Sequence, residues 1–159
     1  MKFEIVIKDV SSITSSNIED AVIDFIYMIG LISKSQRYNR EKIKKSIPYR
    51  LFMDFFLKYP GKPWQVSDLA TTLGTSRPTV YRYINKLMNM DFIEVENIDD
   101  LDTSHKGAVK KGYRIRFGNI EKAWGIVDAH IKIIIRNYEE SAKYIQSIVD
   151  KDINSKRHL

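Results

Sequence analysis

Apolar positions along this chain change period several times, and each change marks a predicted element. Phe3, Ile5 and Ile7 alternate with Glu4 and Lys8, which is the period of a short strand. Beyond a Ser/Thr-rich linker, Ser16 and Glu19 have capping-box spacing. Ile18, Val22, Phe25, Ile26, Ile29 and Ile32 then form one wide apolar face, and together these predict a helix over 17–34. The run KSQRYNREKIKKS up to Pro48 is polar and basic and reads as a connector or an exposed helix. Leu51, Phe52, Phe55 and Phe56 predict an amphipathic helix over 49–59, stopped by Pro60, Gly61 and Pro63, after which Trp64 and Val66 suit a brief strand.

The middle of the chain is denser in signals. Ser67 is placed to cap a short helix, DLATTL, and Gly74 to end it, since glycine reaches positive φ without steric cost. Ser76 is placed to cap the next helix, over 76–88. Pro78 falls in its first turn, where a missing N–H costs little, and Val80, Ile84 and Leu87 line one face. A strand over 92–96, a loop over 97–112 and a return strand over 113–117 follow, with Tyr113, Ile115 and Phe117 inward. Arg114 and Arg116 then point outward beside Glu94 and Glu96, where cross-strand ion pairing is their simplest role.

From Asn119 to about Asp152 the chain reads as one helix. Ile120, Trp124, Val127, Ile131, Ile134, Tyr138, Ser141, Ile145 and Ile148 recur by fours and threes, the 3.5-residue period of a coiled-coil seam with Ser141 as its weak position. Ile133 and Ile135 widen that surface. Such a helix is about 50 Å long, more than a small domain can cover, so a second copy is the expected partner of its apolar face. Phe25, Tyr27, Met28, Trp124 and Tyr138 have helical spacing and read first as core, with the wall of an effector cavity as the alternative; the sequence names no effector.

Charge separates the segments further. The chain of 159 residues carries a net +6 from 26 basic and 20 acidic residues. Residues 1–32 sum to minus 3, whereas 33–90 sum to plus 9. Residues 91–104 hold six acids and no base, and 105–118 five bases and no acid, so the positive charge is local and favours a polyanionic partner. The chain contains no cysteine, which excludes disulfides, thiolate metal sites and cysteine nucleophiles. MKFEIVIKDV lacks the build of a signal peptide, and Ala21–Ile32 is half a bilayer long and contains Asp24; a cytoplasmic protein with no membrane partner is expected.

Catalytic chemistry has no residues to carry it. His105, His130 and His158 share no ligand spacing. Glu94, Glu96, Asp99, Asp100 and Asp102 lack the glycine and periodicity of a calcium loop. No phosphate-binding glycine loop, nucleophile elbow or His-Glu-x-x-His run is present, so no cofactor, metal or enzymatic activity is expected.

A short helix, a glycine turn and a second helix pack at a steep angle only if a small residue sits where they cross, and Ala70, Gly74, Val80 and Ile84 have that spacing. The segment VSDLATTLGTSRPTVYRYINKLMNMDFIEV resembles the helix-turn-helix and first wing strand of winged-helix transcription regulators, in particular the MarR, TrmB and ArsR-like groups. The resemblance runs over about 48–118. The wing, SHKGAVKKGYRIRF, lacks the Asp-Arg pair of the familiar MarR pattern and is closer in character to TrmB-like wings. It implies a mainly α protein with a small β wing (α+β), a winged helix-turn-helix over 47–118. Flanking it are an N-terminal strand and helix over 1–46 that support a dimer and a dimerisation helix and tail over 119–159.

The resemblance also implies double-stranded DNA as partner, with the 76–88 helix in the major groove and the wing on backbone or minor groove. The face of that helix opposite its apolar stripe presents Arg77, Pro78, Tyr81, Arg82 and Asn85. Arg77 and Arg82 suit guanine, Asn85 suits adenine, and Ser76, Thr79 and Lys86 suit phosphates. Lys106, Lys110 and Lys111, with no acid on their side of the turn, are the wing's candidates for phosphate or minor groove. Ile120, Trp124, Val127, Ile131, Ile134, Tyr138, Ile145 and Ile148 are the dimerisation set. The alternative is a winged helix that docks on the transcription machinery without reading sequence, for which the exposed helix face would be apolar, not basic and hydrogen-bonding.

Overall fold

Asn17, not Ser16, starts the first helix. In the computed structural model, which describes residues 2–98 and 109–158, the Asn17 Oδ1 accepts from the Glu19 and Asp20 amides at 2.9 and 3.2 Å, satisfying two of the free N–H groups of α1 (Ile18–Met28). The helix ends well before residue 34. Gly30 adopts φ 84°, and the amides of Gly30 and Leu31 turn back to the carbonyls of Tyr27 and Ile26, a Schellman ending. Leu31 and Ile32 stay buried beyond it.

The expected N-terminal strand does not form. Residues 2–16 carry no regular structure, and Ile7 is exposed instead of facing inward. Lacking a strand to pair with, the segment is tied down at single points, by the Glu4 amide on the Asn89 carbonyl (2.9 Å) and by Lys8, whose Nζ donates to the Tyr27 carbonyl (2.6 Å) over the Tyr27 ring. Burial, and after it the charge of Arg37, push the Lys8 ammonium below its ordinary pKa.

The basic connector folds into two single turns, α2 (Lys34–Arg37) and α3 (Arg40–Ile43). Its cations neutralise the acidic face of α1. Arg37 and Arg40 share Asp24 at 3.1 and 3.2 Å, Arg40 also reaches Asp20 at 2.9 Å, and Lys44 reaches Glu19 at 2.9 Å. Pairs this exposed stabilise by about 0–1 kcal/mol each, so they orient the connector more than they hold it. Part of the plus 9 of residues 33–90 is thereby withdrawn from any partner.

Helix α4 begins at Ile47, with Pro48 in its first turn, and from Leu51 to Leu57 its turns widen to a π-helix that buries Leu51, Phe52, Phe55 and Phe56. Phe52 lies 5.7 Å from Phe25 and 6.1 Å from Phe92, ring centre to ring centre, and these three rings join α1, α4 and the entry to the wing. Gln65, not Ser67, is the cap residue of α5 (Val66–Leu73), so Val66 belongs to a helix and not to the expected strand. Trp64 alone bridges Tyr113, exchanging two backbone bonds of 2.8 Å.

Helix α6 (Arg77–Asn89) leads through Asp91, at φ 60°, into β1 (Ile93–Ile98), which pairs antiparallel with β2 (Lys110–Ile115) in the register Ile93↔Ile115 and Val95↔Tyr113. The return strand therefore ends two residues before the predicted Phe117. That residue sits in a 3₁₀ turn at φ 59° with its ring exposed, because a left-handed residue breaks the alternation. Leu69, Leu73, Val80, Ile84, Leu87, Ile93 and Ile115 form the core between helix pair and wing. The fold is mainly α with a two-stranded β wing, a winged helix-turn-helix.

Helix α7 (Ile120–Arg157) is 38 residues long and runs past the predicted end at 152. The chain divides into two units between Ala123 and Trp124. In the second unit Trp124, Tyr138, Ile145 and Ile148 of the seam are exposed, as are Ile126, Ile133, Ile135, Val149 and Ile153 off it. Ile131 and Ile134 are half-buried, and Val127 is fully buried in the single chain, which leaves it no surface for a second copy, contrary to its place in the expected dimerisation set. Among the described residues no helix is long and apolar enough to cross a membrane.

Candidate nucleic-acid interface

The geometry of the site starts at the turn between α5 and α6. Gly74 adopts φ 66°, and the amides of Gly74 and Thr75 close on Thr71 and Ala70, so α5 ends and the chain reverses within three residues. Ala70 is buried, as a small residue on the inner side of α5 should be. Arg50, which sequence reasoning passed over, completes the turn from outside. Its two terminal nitrogens donate to the carbonyls of Leu73 and Thr72 at 3.3 and 3.5 Å, a cation on the negative end of α5. No local signal announces this contact, since the partners are more than twenty residues apart in sequence.

Ser76 then starts α6 as predicted. Its Oγ accepts the Thr79 amide at 3.3 Å and lies 2.9 Å from the Thr79 hydroxyl, with Pro78 in the first turn. Val80, Ile84 and Leu87 are buried, which turns Ser76, Arg77, Pro78, Tyr81, Arg82, Asn85 and Lys86 to the exposed side, with Thr79 half-buried at its edge. The five residues predicted for that face, Arg77, Pro78, Tyr81, Arg82 and Asn85, are thus all exposed. Arg77 and Asn85 have no side-chain partner among the described residues, so their hydrogen-bonding groups remain available. Arg82 is held over the Tyr83 ring and donates to its hydroxyl at 3.2 Å. Lys86 flanks that face, its Nζ lying 3.5 Å from the Gly30 carbonyl.

In the wing, Arg114 is occupied with Glu94 (2.8 Å), Glu96 and the Gly61 carbonyl, and Arg116 donates to the Asp91 carbonyl at 2.9 Å. Arg114 thus takes the predicted ion-pair role, and Arg116 a backbone one. Lys110 and Lys111 are the first residues of β2 and not loop residues; as neighbours on a strand they point to opposite faces. Lys106 lies outside the described residues, as do His105, Asp99, Asp100 and Asp102. Burial, and secondarily Tyr81, raise the Tyr113 phenol above its ordinary pKa. Among the described residues no three His, Asp or Glu come together as metal ligands.

Comparison with known proteins fits this geometry. Residues 52–96 match the model of the IclR helix-turn-helix domain. No curated protein matches the chain. Among solved structures, a possible transcriptional regulator from Methanosarcina mazei Go1 is 17% identical, with 77% of this chain and 87% of that one covered and a TM-score of 0.43. The likeness is thus to an IclR-type helix-turn-helix and not to the MarR, TrmB or ArsR groups. The features that carried the earlier resemblance, a small residue at the crossing, a glycine turn and a capped second helix, are demanded by any such helix pair. They identify the motif and not the group.

Proposed function

We propose that the protein is a homodimeric transcription regulator that reads a specific double-stranded DNA sequence and acts in the cytoplasm. Residues 47–118 form its DNA-binding domain, 1–46 support the dimer, and 119–159 form the dimerisation helix and tail. The observation that carries this reading is the exposed face of α6. It bears two arginines, an asparagine and hydroxyls over a buried apolar stripe, which is the chemistry of base edges and phosphates and not of an apolar docking surface. Arg77 and Arg82 address guanine, Asn85 adenine, and Ser76, Thr79 and Lys86 the backbone. Tyr81 and Pro78 shape the contact, and Lys106, Lys110 and Lys111 bring the wing to phosphate or minor groove.

Selection of bound duplexes from a random pool tests the whole reading: an enriched motif with two-fold symmetry is expected, and an unenriched pool would sink it. Arg77→Ala or Arg82→Ala is expected to cost about 1–3 kcal/mol at the preferred site and relax one base position per half-site. Equal loss on random DNA would make these arginines phosphate clamps.

Salt dependence gives a separate check. A dimer contacting about eight phosphates has a log-log slope near minus 7, and a slope flatter than about minus 2 would count against DNA binding. Because Lys110 and Lys111 point to opposite faces of β2, one of each pair meets the backbone. Replacing both by Gln should flatten the slope by about 2 per dimer, on all sequences alike.

A further inference from the structure

The N-terminal segment covers something. Its Glu4 amide is bonded to the Asn89 carbonyl at the end of α6, and two residues on, Val6 packs on Gly30, where an added Cβ would lie 3.2 Å from the Val6 Cγ2. Between these points lies a half-open groove of about 250 Å³ lined by Glu4, Ile5, Val6, Ile29, Lys86 and Met90. Four of its lining side chains are apolar, Asn89 and Gly30 also line it, and it is bordered by one carboxylate and one ammonium. Neither rim charge has a strong partner: Glu4 faces Lys2 at 3.5 Å with both side chains exposed, and Lys86 reaches the Gly30 carbonyl at 3.5 Å.

We propose that this groove binds a small aliphatic α-amino acid and that occupancy draws Lys86 away from DNA. The volume falls below the roughly 300–1,000 Å³ of drug-sized sites, so the ligand is small. A branched aliphatic side chain matches Ile5, Val6, Ile29 and Met90. A zwitterion sets its carboxylate against Lys86 and its ammonium against Glu4, whereas a diacid or a diamine would bring one like charge to the rim. Lys86 belongs to the exposed face of α6, one turn beyond Arg82. A ligand carboxylate replaces its long carbonyl contact by a charge-assisted one and removes a phosphate contact from each protomer. The ligand and DNA then oppose each other reciprocally, as linkage requires. This second half rests on the DNA-binding reading; the site itself does not.

The test uses the intact protein and three probes: L-leucine, 4-methylpentanoate, which lacks the ammonium, and 3-methylbutylamine, which lacks the carboxylate. Leucine is expected to bind saturably by calorimetry, tighter than about 1 mM, with amide shifts centred on Ile5, Ile29 and Met90. Each half-ligand should bind about tenfold more weakly, as should leucine to Glu4→Gln or Lys86→Gln proteins of unchanged melting temperature. Leucine should weaken DNA binding about fivefold or more and flatten the salt slope by about 2, and Glu4→Gln should bind DNA normally yet lose this response. Absence of saturable leucine binding, or equal binding of 4-methylpentanoate, overturns the site. Leucine binding with unchanged DNA affinity overturns the coupling. A protein that binds leucine but no DNA overturns the regulator reading and leaves the site standing.

Discussion

Phe52→Ala is expected to destabilise the first unit by about 3–5 kcal/mol, against a typical domain stability of 5–15, and to lower its melting temperature by roughly 10–20 °C. Phe52 is 1% exposed and its ring meets both Phe25 and Phe92. Truncation therefore removes a large transfer free energy and leaves a cavity that three elements would have to collapse to fill, which close packing resists. Phe52→Leu keeps most of the volume and should cost less than half as much. Urea unfolding followed by near-ultraviolet circular dichroism measures both variants. A loss below about 1 kcal/mol for the alanine would mean that the ring cluster is not what ties α1 to the wing. Since no ring of the cluster lies on the exposed face of α6, the folded fraction should keep its DNA affinity.

What the amino-acid pattern discloses is local, and what it hides is tertiary. Helix α6 was legible because Ser76, Pro78 and the Val80, Ile84 and Leu87 spacing act within four residues of one another. The exposure of Arg77, Pro78, Tyr81, Arg82 and Asn85 followed from that one periodicity. The overrun of α1 had a local remedy, because Gly30 was in plain sight, but the continuing Ile29 and Ile32 pattern suggested more helix. Those residues are buried, yet Ile32 lies beyond the helix end, so burial alone mimicked periodicity. Phe117 failed for the opposite reason, since alternation cannot reveal a left-handed residue.

Long-range polar contacts left no sequence signal at all. Arg50 on the α5 carbonyls, Arg40 on Asp20 and Asp24, and Lys86 on Gly30 each join residues 16 or more apart. They also revise the site. The connector's arginines are tied to acidic side chains of α1, so less of the charge of residues 33–90 is left unpaired than its net value suggests.

Ile131→Glu together with Ile134→Glu is expected to yield a monomer that binds its operator at least about a hundredfold more weakly than the native protein. The two residues are adjacent seam positions, and in a two-stranded assembly the pair of substitutions places four carboxylates in an interface without water or counter-charge, several kcal/mol each. The exposure of Tyr138, Ile145 and Ile148, 74, 61 and 49%, is what an assembly would cover, since isolated soluble proteins rarely present apolar area on this scale. The first unit has its own core, so the monomer should retain its folded winged domain and most of its helical signal. Each monomer still presents one α6 to one major groove, but the second contact is no longer intramolecular, and the effective concentration that joined two half-sites one helical turn apart is lost. Sedimentation and operator titration on the same sample decide between the parts of the argument. A folded variant that remains dimeric would remove the seam from the interface, while a monomer of undiminished affinity would remove the two-groove mechanism and leave a regulator that reads a single half-site.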